Sequence, residues 1–326
     1  MTGGETLVGM TRSILLSPAR VTYVMEQTAQ PTGIFEARYV AFLETIVTLR
    51  PKLHRYCARM TGSVLDGEDV MQDALFQAYR KLEQFDENRP LAPWLFRIAH
   101  NQCIDFLRRR DVREGAESEA LVEDAVEPVE AVGHGLDKAI EHLVLSLPPK
   151  ERACVLLKDV LDYSLEEIAE LVDSTVGGVK AALNRGRTKL AASKRVEPVE
   201  RPAENPPRIS PLLSLYLERF NRRDWDGLLE LISADARLRV ADRYFGDVAS
   251  APYYSNYAKR QTPWRASIGA VHGEAVIVVF QPRDGVWNPA SLVRIEEREN
   301  RVARIVDYNH CPWVLASAEL VVEAPV

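Results

Sequence analysis

The sequence predicts a multidomain chain, two all-α helical domains followed by one α+β domain, on three observations. Apolar residues recur at helical spacing through residues 34–110 and again through 136–195. Beyond residue 212 an amphipathic helix gives way to short alternating runs that read as strands. Two segments without apolar periodicity separate these blocks: an acidic one over 111–135 and a proline-rich one over 196–211. Both read as linkers, the first a mobile tether and the second a semi-stiff spacer. Residues 1–33 precede the first helical pattern and read as a disordered extension, with Met25 as an alternative start.

Composition narrows the function classes. Hydrophobic residues make up 46% of the 326 and charged ones 27%, a globular balance. There is no run of about 18 apolar residues. Ser13-Ile14-Leu15-Leu16 is too short for a signal h-region, so no membrane span is expected and cytoplasm is the expected setting. Cys57, Cys103, Cys154 and Cys311 are far apart and form no C-x-x-C, so they are expected to pack as small apolar groups, with no metal and no cofactor. The net charge of −6 hides an asymmetry. Lys180, Arg185, Arg187, Lys189, Lys194 and Arg195 form a run without an acid, whereas residues 111–130 are dominated by acids that could shield such a surface.

In the first block, residues 35–60 read as a long helical region that Pro51 interrupts or restarts. After the Thr61-Gly62 break, DGEDVMQDALFQAYRKLEQF over 66–85 buries Met71, Leu75, Ala78, Leu82 and Phe85. Glu68, Asp69, Gln72 and Asp73 then fall on or beside the other face, near a helix start where acids suit the dipole. A loop over 86–93 leads into WLFRIAHNQCIDFLRRR, residues 94–110. Its core stripe is Leu95, Ile98, Ala99 and Phe106. Arg97, Asn101, Asp105 and Arg108 share the solvent face, and Arg108, Arg109 and Arg110 end the helix with positive charge. Arg beside Asn on one face can meet phosphate and base edges together, although a plain solvated helix has the same pattern.

The second block carries apolar stripes through Leu143, Leu147, Val155, Leu156 and Val160, with Pro148-Pro149 opening a helix. Ser164 and Glu167 fit a capping box, followed by inward Ile168, Ala169, Leu171 and Val172. The turn Asp173-Ser174-Thr175 leads into a basic helix over 176–192. Its core positions are Val176, Val179, Leu183 and Leu190, and Lys180, Asn184 and Arg187 share the outer face. That is the sequence shape of a helix-turn-helix, which a generic helical hairpin also matches in apolar pattern. Gly177 and Gly178 each cost roughly 1 kcal/mol in a helix. Their expected purpose is to let backbone N–H groups approach a phosphate.

In the third block one helix is expected over 212–232, with Leu213, Tyr216, Leu217, Phe220 and Trp225. Strands are expected over 237–240, 275–281, 291–296 and 302–308. Val276, Val278 and Phe280 against Ile277 and Val279 make the second of these apolar on both faces.

The stretches DGEDVMQDALFQAYR, PWLFRIAHNQCIDFLRRR and LPPKERACVLLKDVLDYSLEEIAELVDSTVGGVKAALNRGRTKL resemble, in this order and spacing, the extracytoplasmic-function (ECF) sigma factors of the sigma-70 family. The resemblance covers about 34–195, sigma region 2 over 34–110 and region 4 over 136–195. From YLERFNRRDWDGLLELISADARL onward, the third block (212–326) resembles a SnoaL-like cone domain.

The resemblance implies roles. Asp69, Gln72 and Asp73 would dock on the β′ clamp helices of core polymerase. Trp94, Arg97, Asn101, Asp105, Arg108, Arg109 and Arg110 would serve the promoter −10 element, with the 86–93 loop as the wall of a pocket for a flipped base. Thr175, Gly177, Gly178, Lys180, Asn184, Arg185 and Arg187 would serve the −35 element. The third domain would regulate in cis by packing on the sigma domains or the polymerase. Two other readings remain open: a stand-alone helix-turn-helix regulator, and a SnoaL-like enzyme with a DNA-binding front end. For the enzyme the candidates are His272, Asp307 and His310. Trp264, Trp287 and Trp313 are expected in the core, with a small apolar effector as an alternative. No catalysis is expected.

Overall fold

The computed structural model describes residues 34–86, 88–120, 144–193, 209–241 and 243–322. The expectations for Met25, Leu143, Lys194, Arg195 and most of both linkers lie outside the described residues.

Helices α1 (Ile34–Thr61) and α2 (Val64–Arg80) form a hairpin that turns at Gly62, whose φ of +86° suits glycine. Pro51 does not interrupt α1. Phe42 and Ile46 before it and Leu53, Tyr56 and Cys57 after it are all buried, and that shared apolar face offsets the roughly 3 kcal/mol cost of an internal proline. Ser63 caps α2 by accepting a bond of 3.2 Å from the Asp66 amide. The helix therefore starts before residue 66, and after Arg80 only a 3-10 turn (Leu82–Gln84) continues the pattern. Helix α3 (Leu91–Ala120) runs past Arg110, where the sequence reading ended it, because the residues beyond include good helix formers such as Glu and Ala. Its buried face is Leu95, Phe96, Ile98, Ala99, Cys103 and Leu107; Phe106 is only half-buried.

Helix α4 (Pro149–Val155) has proline in its first turn and continues as a π turn over Leu156–Val160. In α5 (Leu165–Leu171) the Ser164–Glu167 capping box is formed, and α6 (Val176–Ser193) follows the short turn. The two helical units share one hydrophobic core. Phe96 meets Tyr163 edge-on at 5.5 Å. Buried Arg152 donates to the Met60 carbonyl at 2.5 Å and the Leu147 carbonyl at 3.1 Å.

The third domain opens with α7 (Pro211–Arg222) and α8 (Trp225–Glu230) rather than one helix. Arg223 adopts φ +61° and Asp224 caps α8, and Ile232 already belongs to a strand. The strands are β1 (Ile232–Val240), β2 (Tyr244–Asp247), β3 (Arg265–Val271), β4 (Glu274–Arg283), β5 (Val286–Arg298), β6 (Arg301–Asp307) and β7 (Leu320–Val322). They make one sheet in the order β2-β1-β6-β5-β4-β3-β7, in which β1 and β6 run parallel. Helices α9 (Tyr253–Ala258) and α10 (Pro312–Ser317) complete the α+β fold.

Strand β4 is buried on both faces, as its sequence requires. Ile277 and Val279 join Tyr216, Phe220 and Tyr257 in a core under α7 and α9. Val276, Val278 and Phe280 face the other way, into a core that includes Val64 and Leu65 from α2. The second face of the sheet is covered by Cys311 and Val314 at α10 together with the start of α2.

Candidate functional site

The acidic side of α2 is not a solvated face. Asp69 is 9% exposed and Glu68 is fully buried. Arg239 of β1 reaches Asp73 at 2.5 Å and Asp69 at 3.4 Å, and Arg304 of β6 reaches Asp69 at 3.2 Å. Arg294 of β5 bridges Asp66 at 2.7 Å and Glu274 at 2.5 Å. Glu68 accepts bonds from Trp313 Nε1 at 2.7 Å, Gln72 Nε2 at 2.8 Å and Cys311 Sγ at 3.3 Å.

Strand register explains how three arginines meet one helix. Val306 pairs with both Arg239 and Arg294, while Arg304 pairs with Glu296 and Arg237, so all lie on one face across β1, β6 and β5. Burial pushes the Asp69 carboxyl above its ordinary value, against the pull of Arg239, Arg304 and Arg294. Burial also lowers the Arg239 guanidinium, but Asp69 and Asp73 outweigh it and leave it above its ordinary value. The result is a desolvated cluster that stays ionic on the arginine side.

On α3, Arg97, Asn101, Asp105, Arg108 and Arg109 are exposed together. Trp94 is half-buried, its ring 4.8 Å from that of Phe85. Arg110 departs from the face expected of it: it turns inward and donates to the Thr61 carbonyl at 2.8 Å. Arg108 leans on Asp105 at 3.3 Å.

On α6, Lys180 and Asn184 are exposed. Arg185 is held by Glu151 at 2.8 Å, and the Arg187 Nε donates to Asp159 at 3.1 Å. Thr175 serves as the cap, accepting from the Gly178 amide at 3.0 Å, so that amide is not free for a phosphate as the sequence reading had it. A Cβ at Gly178 would stand 2.7 Å from Ser174 Oγ, which gives this glycine a local packing reason. At Gly177 the nearest atom is 3.9 Å away, and the fold places no demand on it.

Of the residues considered for catalysis, Asp307 and His310 interact electrostatically. His272 is exposed in the β3–β4 turn at φ +50°. Asp307 is buried at the end of β6, accepting from Tyr257 at 2.7 Å, Tyr253 at 3.1 Å, Ser291 at 3.2 Å and the Asn309 amide at 2.8 Å. A carboxylate with four donors is saturated by its own fold. His310 is half-buried, and burial lowers its pKa. Trp264 is a core residue, and Trp287 is partly buried. Trp313 is partly buried against the core on the second face of the sheet, and its Nε1 donates to Glu68 across the domain junction.

Sequence reasoning missed Arg239, Arg294, Arg304 and the junction role of Trp313. The available signal was an arginine recurring on one face of strands that are otherwise apolar, but nothing in it named α2 as the partner.

Comparison with known proteins places the chain. Residues 45–113 match the family model for Sigma-70 region 2, and residues 137–190 that for Sigma-70, region 4. The ECF RNA polymerase sigma factor SigW of Bacillus subtilis is 36% identical over 167 residues, covering 48% of this chain and 89% of that protein. The ECF RNA polymerase sigma factor SigG of Mycobacterium tuberculosis is 29% identical over 342 aligned residues, 93% of this chain and 92% of that one, so the likeness continues through the third domain. Among solved structures, the Mycobacterium tuberculosis extracytoplasmic function sigma factor SigJ is similar at 17% identity and a TM-score of 0.34, over 84% of this chain and 99% of that one. Two sigma-70 regions in order, and a relative matched over most of its length, lead to one conclusion: the chain belongs to the ECF RNA polymerase sigma factors, non-enzymatic initiation factors that bring core polymerase to promoter DNA.

Proposed function

We propose that this sigma factor holds itself closed, its α+β domain covering the surface of region 2 that docks on the β′ clamp helices of core polymerase. The carrying observation is that Asp69 and Asp73, two of the three residues assigned to that docking, are held by Arg239 and Arg304. The third, Gln72, is tied to Glu68, which Trp313 also grips. The arginines supply the positive charge that a basic partner helix would present to the same acids. Phe76, three residues beyond Asp73, stays 48% exposed and offers an apolar foothold from which the polymerase can begin displacement.

The rest of the closed state supports the same reading. Elements named −10 and −35 are 25 base pairs apart, roughly 85 Å along B-form DNA. Here the two readers share one core, with Phe96 and Tyr163 in ring contact, so binding both elements requires regions 2 and 4 to part. In the open form Arg97, Asn101, Asp105, Arg108 and Arg109 meet the −10 strand, with Trp94 supporting the wall of the base pocket. Lys180 and Asn184 read the −35 major groove, and Arg185 and Arg187 exchange Glu151 and Asp159 for phosphate. The setting is the cytoplasm, where polymerase and promoter are.

The test leaves every sigma surface intact. Arg239→Glu with Arg304→Glu faces like charge to Asp69 and Asp73, and breaking a buried pair costs about 3–5 kcal/mol. The variant is expected to bind core polymerase more tightly and to raise run-off transcription at least tenfold. Asp73→Lys added to that opened background then weakens core binding. Equal affinity and transcription in wild type and opened variant would sink the closed-state reading.

A further inference from the structure

The basic helix α6 has its counter-charges built in. Glu151, in the first turn of α4, is 6% exposed and takes two cations of α6, one on each carboxylate oxygen. Arg185 Nε donates to Oε1 and Lys189 Nζ to Oε2, both at 2.8 Å. Asp159, in the π turn that follows α4, takes Arg187 side-on. Its two oxygens accept from Nε at 3.1 Å and Nη2 at 2.5 Å. Gly186, between the two arginines, permits this reach. A Cβ there would stand 2.9 Å from Val155 Cγ2 and 3.6 Å from Glu151 Cβ, so only glycine lets α6 lie this close to α4. The side chains of Arg185 and Arg187 nevertheless remain 56% and 53% exposed, within reach of a second partner.

A carboxylate is the nearest protein equivalent of a phosphate, because a guanidinium grips either through two parallel bonds. Asp159 fills that grip on Arg187, and Glu151 takes up the Nε donor of Arg185 together with the Lys189 ammonium. Both sides of the pairing respond. Lys189 and Arg185 hold the Glu151 carboxyl below its ordinary value, and Asp159 holds the Arg187 guanidinium above its own. A DNA phosphate must displace an acid before it gains one of these cations. We propose that Glu151 and Asp159 are internal stand-ins for DNA phosphate, setting how strongly the −35 reader holds DNA of any sequence. This rests on the reading of α6 as the helix that enters the −35 major groove.

The consequence is a lowered sequence-blind affinity. Phosphate contacts supply non-specific binding, whereas base contacts belong to the exposed Lys180 and Asn184. An exposed ion pair shifts an equilibrium by at most about fivefold, so two carboxylates holding three cations lower the affinity by about tenfold. Such a reader is released from the bulk of the chromosome, whose non-specific sites vastly outnumber any promoter.

The probe is a short labelled duplex of random sequence, titrated by fluorescence anisotropy against the full-length chain. Glu151→Gln with Asp159→Asn is expected to tighten binding about tenfold. The slope of affinity on salt is expected to stay the same, because the same cations reach the same phosphates. Asp159→Asn alone, at the more exposed acid, gives a smaller gain and serves if the double variant fails to fold. Glu166→Gln, which removes an exposed acid of α5 outside the cluster, is expected to change binding little. Lys180→Glu is expected to weaken binding in every background. A dye pair across region 2 and the sheet domain is expected to report one docked fraction throughout.

Unchanged or weaker binding by the double variant, or by Asp159→Asn where the double variant does not fold, makes the two acids clamps of α4 on α6 and overturns the proposal. An equal gain from Glu166→Gln is a general field effect and also overturns it, as does a gain that comes with domain opening. A slope steeper by about one or two means that the arginines never leave their acids in the wild type, which makes the acids fixed partners and not stand-ins. Lys180→Glu without effect takes α6 off the DNA, and the −35 reading then falls with the proposal.

Discussion

His100 is a residue of region 2 whose protonation is controlled by burial. It is buried on α3, sharing a hydrogen bond of 2.9 Å with the Tyr56 hydroxyl, and burial pushes its pKa down to about 4. The unfolded chain takes up a proton near 6.5, whereas the folded one does not until about 4. The folded pKa is depressed, so the contribution is fully present above pH 6.5 and is lost as pH falls toward 4. The loss amounts to roughly 3 kcal/mol. Urea unfolding from pH 4 to 7 should show this slope in wild type and a shallower one in His100→Gln, which cannot titrate. Parallel slopes would assign the acid sensitivity elsewhere, the carboxylates being the alternative. None of this was legible in the sequence, where His100 is one polar residue in an amphipathic run and nothing marks its burial.

At the scale of elements, much more could be read. The Ser164–Glu167 capping box fixes the start of α5 by bonds within one turn, so a local pattern sufficed. The double-sided apolar pattern of β4 correctly required a cover on each face of the sheet, but a pattern cannot say what the cover is. One proved to be α7 and α9, and the other α10 together with the start of α2. The acids of α2 were misread for the same reason. Their spacing is that of a solvent face, and only the arginines of distant strands make it a buried one.

Glycines separate local from tertiary demands in the same way. A Cβ at Gly67 would lie 2.4 Å from Ala58 Cα and 2.5 Å from its nitrogen, which are backbone atoms with no room to yield. Overpacking costs about 1–3 kcal/mol, more where backbone must move, and exceeds the gain of at most ~1 kcal/mol in helix propensity. Gly67→Ala should therefore lower the urea midpoint. Gly177→Ala, with open space around it, should leave the midpoint unchanged or raise it. A reversed order would mean that the α1–α2 crossing is looser than its geometry.

The whole molecule is a two-state device if its docked and open forms compete for one surface, and that imposes a numerical constraint. Core polymerase can bind only the open fraction, so its apparent dissociation constant is the intrinsic one divided by that fraction. The closed form is held by an apolar core, with Val64 and Leu65 against Val276, Val278 and Phe280, as well as by the ion pairs. The open fraction is therefore small, and salt alone, which screens exposed charge far more than buried pairs, should not release it. Reversal of Arg239 and Arg304 attacks the buried pairs directly. At about 1.4 kcal/mol per tenfold, the loss of one such pair is enough for a shift of two orders of magnitude.

Two measurements must then agree. The factor by which Arg239→Glu with Arg304→Glu tightens core binding should equal the factor by which it raises the open fraction reported by the dye pair, until that fraction approaches one. Reciprocity requires saturating core polymerase to open the wild-type chain to the same low transfer efficiency. If affinity tightens while the dye pair shows no opening, the arginines act on the polymerase surface itself. If the chain opens and affinity does not move, Asp69 and Asp73 do not form the docking face.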